Sequence, residues 1–285
     1  MSTERRPAAP TPRVVPLRPR SVAALVLLSV LGLAAFGWPL LIDPGSSLGH
    51  DAGAPLVLAV LLVLVLAVVL AQVADGGLDV KAVAMLGVLS AVGSALRPLG
   101  AGTAGLETVF FLLVLAGRVF GPGFGFVLGA TTLTASALLT GGVGPWLPYQ
   151  AIGAAWVGLG AGLLPRVRGR AELVLLALYG GVAGLAYGWL LNLSFWPFTA
   201  GPGTQLSFDP AASLLTNLHH FALFCLGTSL GWDLGRAITN VVLVLVTGRA
   251  VLGVLRRAAR RAAFDAPVTF APAAEPSTHA VGSST

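Results

Sequence analysis

From Gly117 to Pro165 the chain holds two apolar runs, each long enough to cross a bilayer and neither carrying a charge. About 20 apolar residues suffice for a helix to span the hydrocarbon core. Gly121, Gly125 and Gly129 recur every fourth residue in the first run, and Ala154, Gly158 and Gly162 do so in the second. Each set therefore lines one helix face. In lipid, where burial of apolar surface no longer drives helices together, small faces allow the close backbone approach that does. Between the runs, Gly141 to Gln150 combines helix breakers with Trp146, Tyr149 and Gln150. The pattern predicts a helical hairpin with an aromatic, amide-bearing edge, around which the remaining segments pack.

The composition agrees. Of 285 residues, 56% are hydrophobic and 10% are charged, and the mean hydropathy is +0.88. Soluble proteins carry about 25% charged residues, so a soluble globular fold is excluded and an all-α, polytopic membrane protein is expected. One lysine stands against sixteen arginines, as in GC-rich genomes. The net charge of +6 does not indicate nucleic-acid binding, because the arginines cluster beside apolar runs as in cytoplasmic loops. A single cysteine, Cys225, excludes an internal disulfide and a cysteine-built zinc site. No GxxxxGK[ST] run suggests ATP hydrolysis by this chain.

Residues 1–20 read as a disordered, arginine-bearing cytoplasmic tail. Apolar spans are expected at 21–42 and 54–74, forming an N-terminal helix pair within 21–75. Further spans are expected at 80–96, at 106–120, in the two runs of the hairpin and at 171–193. The short 106–120 stretch is expected to be tilted or partly buried. Gly180, Gly184 and Gly188 share a face, as do Gly227, Gly231 and Gly235. The region 211–255 is too long for one span and is expected to make one net crossing, with part of 211–235 in the outer leaflet or folded into a cavity. Arginines in the N-terminal tail, at 166–170 and from Arg256 onward belong inside by the positive-inside rule. The expectation is about eight crossings, with both termini cytoplasmic and a disordered tail over 258–285.

Several polar groups stand out. Arg97 and Glu107 flank one outer loop and are expected to pair across it, either as a structural bridge or facing a ligand. Trp146, Tyr149, Gln150, Trp189 and Asn192 meet the same outer level. Singly the aromatics fit an interfacial belt, but together with the amides they suit a flat, uncharged ring system. His219 and His220 are metal-capable, although structural histidines at a helix start are the commoner case. Asp233 and Arg236, three residues apart, are expected to neutralise each other. Trp232 joins the candidate set by position, and Cys225 reads as inert packing.

Residues 79–257 resemble the substrate-binding S component of energy-coupling factor (ECF) transporters, the bacterial vitamin importers. Three motifs carry the resemblance. Ala91-x-x-x-Ala95 followed by Leu96-Arg97 looks like the family's first core helix. Gly117-Arg-Val-Phe-Gly121-Pro-Gly-Phe-Gly125-Phe-Val-Leu-Gly129 looks like its glycine-rich join between second and third core helices. Gly141-Gly142 with the helix start at Trp146–Gln150 looks like the following turn. The chain looks like an actinobacterial-type member that adds two helices ahead of a six-helix core.

The resemblance implies a non-enzymatic receptor in the bacterial cytoplasmic membrane. Such a receptor captures a vitamin or cofactor precursor outside and delivers it inward with a transmembrane coupling subunit and two ATPase subunits. ATP is used by those partners, and no cofactor is bound by this chain. The implied docking face is Gly87, Ala91 and Ala95. The expected substrate-binding set is Arg97, Glu107, Trp146, Tyr149, Gln150, Trp189, Asn192, His219, Trp232 and Asp233, with a corrinoid as first guess on the roomy aromatic outer face. The alternative is a self-contained secondary permease, against which stands the lack of a clear internal repeat. An intramembrane enzyme would need a denser set of nucleophile, base or metal ligands. A membrane scaffold would not need the aromatic-amide cluster.

Overall fold

The computed structural model describes residues 19–41, 60, 63, 67, 80–100, 103–200 and 203–262. Among these every regular element is helical: α1 (Pro19–Phe36), α2 (Trp38–Leu41), α3 (Val80–Leu96), α4 (Phe110–Phe120), α5 (Pro122–Thr140), α6 (Leu147–Leu163), α7 (Arg170–Thr199), α8 (Leu214–Phe224) and α9 (Leu230–Ala262). A 3-10 turn, Arg97–Gly100, extends α3, and a π-helical turn, Cys225–Ser229, joins α8 to α9. Four helical runs are long and apolar enough to cross a membrane: Val80–Gly100, Pro122–Thr140, Arg170–Thr199 and Leu214–Ala262. This is a membrane-embedded helical protein. The span expected at 54–74 and both tails lie outside the described residues, apart from positions 60, 63 and 67 and the ends of the flanking helices.

The glycine faces meet as their spacing requires. A Cβ at Gly158 would run into the Gly125 carbonyl oxygen, one at Gly129 into the Ala154 carbonyl, and one at Gly162 into Pro122. Gly117 of α4 closes on the Gly158 carbonyl from the other side. Three backbones thus touch at one level of α4, α5 and α6. The join between α4 and α5 turns at Gly121, whose φ of 96° favours glycine. Pro122 follows at the first helical position, where its missing N–H costs nothing. Gly141, left-handed at φ 67°, caps the far end of α5.

The short α4 is the most enclosed element, with Phe110, the run Leu112–Gly117 and Phe120 all buried. That bears out partial burial and exceeds it. α3 packs on α5 through small and polar groups: Ser90 and Thr131 hydroxyls meet at 2.8 Å, and the Ser94 hydroxyl donates to the Thr132 carbonyl at 3.1 Å. α1 reaches the core through aromatics, Phe36 lying 5.1 Å from the Tyr149 ring centroid and 5.6 Å from that of Trp156. The helix breaks at Gly37, and the Trp38 indole then donates to the Ser194 carbonyl at 2.8 Å.

Two segments differ from expectation. The residues after 193, read from sequence as loop, remain helical to Thr199 with Pro197 inside the last turn. The region from 211 is compatible with the one net crossing expected of it, but no part of 214–235 is folded aside. Leu214–Ala262 is one 49-residue helical run, about 74 Å at 1.5 Å per residue. It outreaches a hydrocarbon core of about 30 Å and therefore projects from it. The glycines of α7 do seat this run: Gly180 faces the Asn240 Cβ, Gly184 lies against Ala237, and Gly188 abuts Asp233. Of the glycine set on the opposite helix only Gly235 is packed, against the Ala104 carbonyl, while nothing lies within 4 Å of a Cβ at Gly227 or Gly231. The π turn, which contains Gly227, takes that glycine out of the four-residue register of Gly231 and Gly235.

Gly158→Ala forces apart two backbones and is expected to cost about 1–3 kcal/mol, read as a lowered melting temperature of the purified protein in detergent. Gly87→Ala, with open space around it, is expected to leave that temperature unchanged. Asn240 is fully buried, and neither side-chain polar atom has a partner among the described residues. Asn240→Leu, of similar shape, is expected to raise stability by about 1–3 kcal/mol, the usual cost of an unsatisfied buried group.

Candidate functional site: an uncharged cleft held by an ion cluster

The charged groups near the helix ends form two clusters. In one, Arg118 Nε and Arg256 Nη2 both bind Glu172 Oε1, at 2.8 and 2.7 Å. Arg118 also donates to the carbonyls of Leu164, Pro165 and Val167, which closes the chain end between α6 and α7. The other cluster lies toward the Gly141 end. Arg236 Nε binds Glu107 Oε2 at 2.7 Å, and its Nη1 binds Asp233 Oδ1 at 2.8 Å and the Gly184 carbonyl at 3.2 Å. The Arg236 guanidinium sits 5.3 Å from the Tyr187 ring centroid, adding a cation–π contact. Tyr187 in turn packs edge-on to Phe110 at 4.7 Å. The pairing of Asp233 with Arg236 is as expected. The pairing of Arg97 with Glu107 is not: Glu107 is taken by Arg236, and Arg97 Nη2 donates to Gln150 Oε1 at 3.0 Å. Sequence proximity favoured the first pairing. The structure prefers Arg236 because that arginine is 8% exposed and already faces Asp233, so a second carboxylate lowers the cost of its burial.

Next to this cluster is a cleft of about 210 Å³, lined by Trp146, Gln150, Leu191, Asn192, Phe195, Thr199 and Phe224. No lining residue is charged. Trp146 and Gln150 come from the start of α6, where Trp146 is half-exposed and its indole donates to the Gly142 carbonyl at 3.2 Å. Asn192, Phe195 and Thr199 follow one another along α7 at helical spacing. Phe224 ends α8, immediately before the π turn. Such turns recur at functional sites, since the extra residue re-aims side chains. Here the turn carries Ser229. Asn192 Nδ2 donates to Ser229 Oγ at 2.7 Å and lies 3.5 Å from Cys225 Sγ, and the Ser229 hydroxyl reaches Asp233 Oδ2 at 3.0 Å. A hydrogen-bonded path thus runs from the cleft to the Asp233–Arg236–Glu107 cluster.

Of the ten expected binding residues, Trp146, Gln150 and Asn192 line the cleft. Arg97 stands directly behind Gln150, and Glu107 and Asp233 stand behind Asn192 through Ser229 and Arg236. The other four do not line it. Tyr149 is fully buried, with its ring edge-on to Phe36 and Phe195. Trp189 packs on Phe221 at 6.1 Å, and Trp232 is half-exposed elsewhere. His219 is exposed, and its neighbour His220 donates from Nδ1 to the Ser207 carbonyl at 3.0 Å. Cleft residues absent from the expected set are Leu191, Phe195, Thr199 and Phe224, and Ser229 was missed as the link. Position along α7 could have supplied the first three. No local pattern announces the π turn that places the last two.

Arg236→Met would leave the buried Asp233 carboxylate without its counter-ion and the half-buried Glu107 unpaired, and is expected to cost about 3–5 kcal/mol. Glu107→Gln and Asp233→Asn combined with it should recover most of that loss. Thermal unfolding of the single and triple variants in detergent measures the difference. Comparison of the chain with protein-family models, with curated proteins and with solved structures finds no match.

Proposed function

We propose that this chain is the membrane-embedded substrate-binding (S) component of an ECF-type importer, which captures a vitamin or cofactor precursor at its outer face and delivers it inward with a coupling subunit and two ATPase subunits. The observation that carries this reading is a helix flank with no partner among the described residues. On α3, Ala82, Leu89, Ser90, Gly93 and Ser94 are buried, whereas Gly87, Ala91 and Ala95 are exposed, and a Cβ at Gly87 would meet nothing within 4 Å. Small residues at helical spacing, left uncovered, suit close approach of a second membrane protein. The uncharged cleft at the Gly141 end supplies the receptor's other half.

The orientation follows from charge. Arg118, Arg256 and the arginines at 166, 168 and 170 gather at one end, which we read as cytoplasmic. The Gly141 end with its cleft then faces outward. With 54–74 as a span, α1, α3, α4, α5, α6, α7 and the Leu214–Ala262 run complete eight crossings, and both termini are cytoplasmic. The membrane is the bacterial cytoplasmic one.

Two measurements test the proposal. The chain is expected to co-purify with coupling and ATPase subunits, and substrate accumulation in liposomes holding this chain alone would sink it in favour of a permease. Ala91→Trp or Ala95→Trp is expected to abolish uptake by the full complex while ligand binding stays within about twofold of the unaltered protein, a shift below 0.5 kcal/mol. Equal loss of both would make the flank merely structural.

A further inference from the structure

The two carboxamides in the cleft are not free to turn. Arg97 can only donate, so its contact at 3.0 Å fixes the oxygen of Gln150 toward it and leaves the Nε2 amino group without a protein partner among the described residues. Asp233 can only accept from the Ser229 hydroxyl, so Ser229 Oγ must accept from Asn192, whose second amino proton faces Cys225 Sγ. Asn192 Oδ1 therefore remains unpartnered among the described residues. The ion cluster thus sets the polarity of the cleft, with one amide donor from α6 and one carbonyl acceptor from α7. Three aromatic rings, those of Trp146, Phe195 and Phe224, supply the remaining wall.

From this geometry we infer that the cleft takes a small, neutral, flat ring compound bearing both a hydrogen-bond donor and an acceptor, that is, a ring amide (lactam) or its amino-heterocycle equivalent. The acceptor of the ring meets Gln150 Nε2, its donor meets Asn192 Oδ1, and its faces stack on the aromatics. Charge is disfavoured because no ionised group lines the cleft and the Asp233–Arg236–Glu107 ions pair with one another. Size matters as well. The cleft, about 210 Å³, encloses one ring or two fused rings, whereas a corrinoid, with four pyrrole-type rings around a metal, would be enclosed only in part because the cleft is open on one side. This inference rests on the receptor reading above and narrows its substrate.

The test uses the purified full chain in detergent and follows tryptophan fluorescence and isothermal titration with 2-pyridone, uracil and lumazine. Their N-methylated counterparts, nicotinate and cyanocobalamin serve as comparisons. At least one lactam is expected to bind, with its N-methylated form at least about tenfold weaker, the usual worth of a lost buried hydrogen bond. Nicotinate and cyanocobalamin are expected to bind at least tenfold more weakly than that lactam. Gln150→Glu keeps an acceptor for Arg97 but turns the free donor into an acceptor. It is expected to weaken lactam binding at least tenfold without lowering the melting temperature. Equal binding of methylated and unmethylated rings, tighter binding of nicotinate or cyanocobalamin, or no effect of Gln150→Glu overturns the inference. If no lactam binds, ligand extracted from the freshly purified protein and identified by mass spectrometry separates the two failures. A retained small molecule of other chemistry, displaced by Gln150→Glu, overturns the lactam alone. No retained molecule overturns the receptor reading with it.

Discussion

Backbone contact among α4, α5 and α6 is the constraint from which the rest of the molecule takes its position. In lipid, a leucine side chain gains nothing by leaving hydrocarbon for a protein interior, so helices hold by close van der Waals contact and polar interactions. At Gly117, Gly125 and Gly158 the contact is backbone on backbone, with no room for a single methyl group. The four-residue spacing then propagates it. Ala154, Gly158 and Gly162 sit on α5, and the preceding member of that series is Gln150. On α7, Gly180, Gly184 and Gly188 sit on α9, and the following member is Asn192. Each small-residue stripe therefore ends, one turn on, in a carboxamide, and both carboxamides open on the same cleft. Where the stripes stop, the helices can no longer touch, and polar side chains occupy the gap.

The ion clusters complement this packing. From Glu172 to Gly188, which abuts Asp233, α7 rises about 24 Å, comparable to a hydrocarbon core of about 30 Å. The clusters bracket the apolar zone, so each lies where water or headgroups are near and the cost of charge is lowest. They differ in sign. Arg118, Glu172 and Arg256 sum to one positive charge, while Glu107, Asp233 and Arg236 sum to one negative charge.

Much of this was legible in the sequence, and the divide follows the range of the interaction. Helix positions, the hairpin and the glycine contacts on α5, α6 and α7 are local periodicities, and 80–96 matches α3 residue for residue. The convergence of Trp146, Gln150 and Asn192 was also readable, because each lies at the same end of its span. What failed depended on partners far along the chain. Glu107 and Arg236 are 129 residues apart, and nothing near Glu107 signals that the closer Arg97 will instead hold Gln150. Aromatic residues gave no guide between lining and packing: Tyr149, one residue and about 100° around α6 from Gln150, faces the core, and Trp189 faces Phe221. The glycine stripe through 227, 231 and 235 failed for a subtler reason. Its spacing assumes an α-helix, and the chain places Gly227 in a π turn, while Gly231, in register with Gly235, faces open space among the described residues.

That π turn also decides how the cleft and the uncovered flank relate. By placing Ser229 between Asn192 and Asp233, it ties one wall of the cleft to the ion cluster and so to α4 and α9. The opposite wall is tied differently. Gln150 is held by Arg97, two residues beyond Ala95 and on the same helical run as the exposed Gly87, Ala91 and Ala95. The shortest path from the flank to the cleft is thus Ala95, Leu96, Arg97 and one hydrogen bond. One wall is anchored in the buried core, and the other hangs from the helical run that is least buried among the four long apolar runs of the described residues. Coupling between a flank and a cleft needs a physical element that both touch. In this fold α3 is the element that meets the requirement.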